Sequence, residues 1–148
     1  MRSVWVLVFA AMIANATNWN LPAPFAGCYE LRVLSQPSPS LKTGDYLPRT
    51  FVLTARSTNP RAKLSDQRYM VQNTDSNVRW DLSPFSSWRP KNPDEFEIVW
   101  STGFVSYRVA VRKSEGEFRG KAQYSEDTNS HSLGPFEVDA RQTACKAN

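Results

Sequence analysis

The chain has 148 residues, enough for one domain with a real core and too few for two well-packed ones. Its formal charge of +4 is spread along the length without a Lys/Arg run, so neither a nucleic-acid nor an anionic-lipid footprint is expected and solubility accounts for the excess. Two cysteines and a single histidine are too few ligands for a structural metal site.

The N-terminus carries a processing pattern. Met1, Arg2 and Ser3 form a short positive start, residues 4–14 are an unbroken apolar run, and Ala14-Asn15-Ala16 supplies a small-x-small cleavage site. Residues 1–16 are therefore expected to be a signal peptide and 17–148 a single exported domain, secreted or periplasmic. The apolar run falls well short of the ~20 residues that span a bilayer, so no stable membrane insertion is expected. Phe25, Ala26, Gly27 and Cys28 resemble the lipobox of bacterial lipoproteins, but residues 15–24 separate them from the apolar run. The preferred expectation is a disulfide between Cys28 and Cys145, the default for an even count in an exported chain. A lipid-anchored Cys28 in the outer membrane is the second reading. Closing so long a loop would stabilise the fold by about 4–5 kcal/mol in the chain-entropy picture.

Beyond an irregular lead-in with Pro22 and Pro24, apolar residues recur at every second position, the mark of strands that cover a core with one face. Residues 28–34 put Tyr29, Leu31 and Val33 on one side. A Pro-containing loop follows, then residues 49–56 with Phe51, Leu53 and Ala55. Tyr69 and Val71 mark a strand over 66–73, and Val78, Trp80 and Leu82 another over 78–82. Residues 83–94 hold Phe85, Trp88 and three prolines, so an elaborated loop is expected there. Residues 95–125 read as three strands: Phe96, Ile98 and Trp100; Val105, Tyr107, Val109 and Val111; Phe118, Gly120, Ala122 and Tyr124. Tight turns at Ser101-Thr102-Gly103 and Ser114-Glu115-Gly116 join them. A last strand over 135–141 carries Phe136, Val138 and Ala140. Eight antiparallel strands in sequential order predict an all-β fold, an up-and-down barrel without free edges. A two-sheet β-sandwich is the alternative.

At Gly27-Cys28-Tyr29 the chain resembles the opening of a lipocalin, whose first strand begins Gly-x-Trp, with Tyr29 where the Trp stands. The Thr-Asp-Tyr motif between the sixth and seventh strands is absent, and so is a long C-terminal helix. The resemblance implies a lipocalin-like (calycin) β-barrel of an exported bacterial family and, by analogy, a small-ligand binder. It also implies that Arg141 plays the late basic residue packing over the first-strand aromatic.

No motif names a reaction. His131 lies in a polar loop where Ser130, Ser132 and Asp127 have no rigid frame, so no catalytic residues are expected. Glu95 and Glu97 flank an inward Phe96, and ion pairs are expected of them rather than acid/base work. Arg108, Arg112, Arg119 and Lys121 form a basic stripe expected to pair with cross-strand carboxylates. The inward aromatics carry the functional expectation, because an eight-stranded barrel either fills with side chains or encloses one small ligand. Tyr69, Trp80, Trp100, Tyr107, Gly120, Ala122 and Tyr124 are expected to line such a site, with Trp19 or Trp88 over a mouth. The ligand would be small and largely apolar, with no cofactor and no nucleic acid involved. A transmembrane barrel is set aside because the strands look nearer seven residues than the ~10 a membrane strand needs. The alternative function is a packed interaction module whose outer face or 83–94 loop binds another protein.

Overall fold

Alternating side chains pair each strand with its sequence neighbour, and the last strand returns to the first. A computed structural model describes residues 22, 24–35, 47–75, 85–127 and 131–145, His131 in its backbone alone. Its strands are β1 (Gly27–Val33), β2 (Thr50–Ser57), β3 (Tyr69–Asn73), β4 (Ser87–Asn92), β5 (Glu95–Ser101), β6 (Val105–Ser114), β7 (Glu117–Glu126) and β8 (His131–Thr143). A short 3-10 turn occupies Leu64–Asp66. They form a closed antiparallel barrel in sequential order, β8 pairing β1 through Leu31–Ala140 and Arg32–Asp139. The closed up-and-down barrel replaces the sandwich alternative.

The three strands expected over 95–125 form and pair in turn, with Phe96 opposite Val111 and Val109 opposite Ala122. Their turns are as expected: Glu115 (φ 51°) and Gly116 (φ 88°) take the two positive-φ positions of a twisted hairpin turn. The long strands run further than the sequence suggests. β8 extends over 13 residues instead of 135–141, because Gly134 and Pro135 are absorbed as an extra residue opposite Gln123, a bulge that keeps pairing alive on both sides. A similar irregularity in β2, between Leu53 and Ser57, turns Ala55 out to solvent rather than into the core.

The fourth strand is the main correction. It lies at Ser87–Asn92, inside the stretch expected to be a loop, while the expected strand over 78–82 falls outside the described residues. Pro90 argued against a strand, yet β3 pairs with β4 only at Tyr69–Trp88 and Met70–Ser87. At Pro90 the strand therefore has a single paired neighbour, β5, and behaves as an edge, where a missing N–H is tolerated.

Apolar side chains point into the interior, among them Tyr29, Phe51, Trp88, Phe96, Ile98, Trp100, Tyr107 and Val109, each nearly inaccessible to solvent. The outward positions of β6 to β8 carry Arg108, Arg112, Arg119, Lys121, Glu137 and Asp139. The apolar face thus covers a protein core, although β6 and β7 reach 10 residues each, longer than expected. No helix among the described residues is long and apolar enough to cross a membrane. Cys28 and Cys145 form a disulfide, with Cα atoms 5.2 Å apart, which takes the sulfur that a lipid anchor would need.

Candidate functional site

One end of the barrel is shut by rings. The backbone turns at Pro22, whose carbonyl accepts the N–H groups of Phe25 and Ala26, and this sends Phe25 into the end beside the disulfide. Phe25 lies 5.3 Å from Phe96 and 6.0 Å from Phe118, ring centre to ring centre. Phe96 and Phe118 meet at 4.9 Å. Above them Tyr29 stacks on Phe51 at 5.4 Å and 8°, and Phe51 meets the edge of Trp100 at 5.2 Å. Such offset and edge-on pairs each add about 0.5–1.5 kcal/mol beyond the area they bury. This half of the interior is filled.

Tyr29 is the hinge of this packing. Its hydroxyl donates to the Phe25 carbonyl at 2.8 Å, and burial pushes its pKa up to about 12. Arg141, which the resemblance cast as the cover for this ring, is exposed and pairs in register with Glu30 on the outer face. Residues of β8 alternate in direction, so a partner of outward Glu30 points outward as well.

The opposite half holds the expected site residues that do converge. Trp100, Tyr107 and Tyr124 occupy one cross-strand row of β5, β6 and β7. The tyrosine rings are 5.2 Å apart, and Tyr124 donates to Glu126 at 3.4 Å. Ala122, fully buried, lies one inward step below Tyr124. The Trp100 indole N–H is buried and has no hydrogen-bond partner among the described residues.

Tyr69 is not in this group. It packs against Trp88 at 5.3 Å, and burial pushes its hydroxyl pKa up. Gly120 offers no room for a ligand, because a Cβ built on it would stand 1.9 Å from the Ala110 carbonyl oxygen. The space expected there belongs to the β6 backbone. Trp80 and Trp19 lie outside the described residues, as do the His131 side chain and the 1–16 leader. Trp88 covers no mouth: it is fully buried and donates its indole N–H to the Thr54 carbonyl at 2.9 Å. The sequence did carry its signal, since Trp88 and Pro90 alternate with Ser87, Arg89 and Lys91. The prolines masked it.

On the outer face the carboxylates do pair. Glu95 meets Arg112 at 2.9 Å, Glu97 meets Arg89 at 3.1 Å, and Asp139 holds Arg32 through two hydrogen bonds of 2.9 Å. The Asp139 bonds raise the Arg32 guanidinium pKa above its ordinary value. Where β1 meets the chain entering β2, an open cleft of about 330 Å³ is lined by Leu31, Arg32, Leu47, Pro48 and their neighbours. It lies on the barrel wall, away from the Trp100 row. Among the described residues no cluster of His, Cys, Asp and Glu has the makings of a metal site. Comparison with protein-family models, with curated proteins and with solved structures finds no match to this chain.

Proposed function

We propose that the chain is an exported, lipocalin-like (calycin) binding protein, not an enzyme, and that it holds a small, largely apolar molecule around Trp100, Tyr107 and Tyr124. The carrying observation is the Trp100 indole N–H, buried in the barrel without an acceptor among the described residues. An unpaired buried donor costs about 1–3 kcal/mol, and a ligand oxygen would recover that cost. The ligand is accordingly apolar in bulk with one carbonyl, carboxyl or ether oxygen. The ring-filled half beside the disulfide limits it to the other half of the interior. Export is supported by the leader pattern of residues 1–16 and by the Cys28–Cys145 bridge, a bond of oxidising compartments.

The second reading is a packed interaction module with no internal ligand. The continuous ring packing from Phe25 through Phe96, Tyr29 and Phe51 to Trp100 supports it. Titration with oleic acid, retinol and 8-anilinonaphthalene-1-sulfonate, followed by fluorescence, separates the two. Saturable binding of at least one probe is expected. Trp100→Phe, which keeps a ring and removes the donor, should weaken it about tenfold. Ala122→Leu should abolish it by filling the interior. No saturable response from any of the three probes, with the protein folded, rejects internal binding and leaves the packed module.

A further inference from the structure

Outside the barrel, the β3–β6 face gathers more positive charge than it neutralises. The β3–β4 register ends at Tyr69–Trp88, with Arg68 the residue before β3 and Arg89 the residue after Trp88. Arg89 is answered on its other side by Glu97, its register partner on β5, through Nε at 3.2 Å and Nη2 at 3.1 Å. Arg108 stands on β6 across from Val99, diagonal to Glu97 on the same face. Glu97 is almost wholly covered, its side chain 8% exposed, although it lies on the outer wall.

The four groups are within electrostatic reach of one another. Burial first, then the charges of Arg89 and Arg108, lower the Arg68 guanidinium pKa, and Glu97 offsets this in part. Among the described residues, neither the Arg68 nor the Arg108 guanidinium has a hydrogen-bonded or ion-paired acid. Among the described residues, one carboxylate thus lies among three guanidinium groups, one of them half-buried.

We propose that Arg68, Arg89 and Arg108, gathered about Glu97 on the outer face of β3 to β6, bind a tetrahedral oxyanion, a phosphate or sulfate group. A planar guanidinium presents paired N–H donors that match two oxygens of such a group, and several forks around one anion give both charge and geometry. A monovalent spherical anion uses neither. Glu97 keeps Arg89 aimed and keeps the site from being saturated by chloride. The proposal is independent of the internal-ligand reading, since no residue is shared.

The test is a titration of the full chain with sodium sulfate, sodium phosphate, glycerol 2-phosphate and a sulfated monosaccharide. Sodium chloride at matched ionic strength is the control, and the readout is the NMR signals of the arginine Nε–H groups. Saturable shifts at Arg68, Arg89 and Arg108 are expected with the oxyanions and not with chloride. Arg68→Gln and Arg108→Gln should each weaken the response at least about fivefold with the backbone spectrum unchanged. Glu97→Gln, which removes the competing carboxylate, should tighten it. Esters that bind better than the inorganic ions identify the group as part of a larger molecule; the reverse identifies a free anion. Shifts that follow ionic strength alone, or that Arg68→Gln leaves untouched, overturn the proposal.

Discussion

Tyr29 shows how one side chain couples the lead-in to the barrel. Its ring stacks on Phe51 while its hydroxyl holds the Phe25 carbonyl, so the residue that plugs the barrel is tied to the first strand. The same burial has a pH consequence. The folded protein favours the neutral phenol, with a pKa of about 12 against an ordinary value of 10.0. Its contribution is therefore complete below about pH 10 and is lost as pH rises toward 12. Urea unfolding at pH 8 and at pH 11.5 should show stability falling across that window. Tyr29→Phe should flatten part of the fall, while costing about 1–2 kcal/mol at pH 8 through the orphaned carbonyl. Gly120 teaches a different lesson at the same scale. Alternation alone made it an inward small residue, but the missing side chain makes room for the neighbouring strand's carbonyl.

At the scale of elements, β4 is where sequence and structure part. A run with Pro90 and a flanking Pro93 has the composition of a loop, and the local rules that say so are sound. The strand forms because Trp88 buries its ring between Phe25, Tyr69 and Phe96 and finds an acceptor in Thr54 on β2. That acceptor is 34 residues away in sequence, so no local pattern announces it. Trp88→Phe should keep much of the packing and lose the hydrogen bond, at about 1–2 kcal/mol, whereas Trp88→Ala should cost about 3–5 kcal/mol by leaving a cavity. Thermal unfolding of both variants measures the difference. Had Trp88 been a loop residue over a mouth, neither change would move the midpoint much. The pairing of β5, β6 and β7, by contrast, was legible because their turns are short and their alternation unbroken.

For the whole molecule, the bond between Cys28 and Cys145 links residues 117 apart and ties the start of β1 to the chain just past β8. It locks the seam where the barrel closes on itself. Replacing both cysteines with serine should lower stability by up to about 4–5 kcal/mol, the loop-closure value for so long a loop. Urea denaturation of the double variant beside the reduced parent checks it, and the two should agree. The alternation of apolar and charged residues determined by itself that the chain is all-β, that strands follow one another in order, and that Trp100, Tyr107, Ala122 and Tyr124 share one face. The shared face follows from a period of two and the order from short connections, both of which a short window of sequence displays. Which inward ring fills space, which leaves a donor unpaired, and which outward arginines crowd one carboxylate were decided only when the barrel closed. Each depends on distances between strands that are remote in the chain, set by register, bulges and the entry of Phe25 into one end.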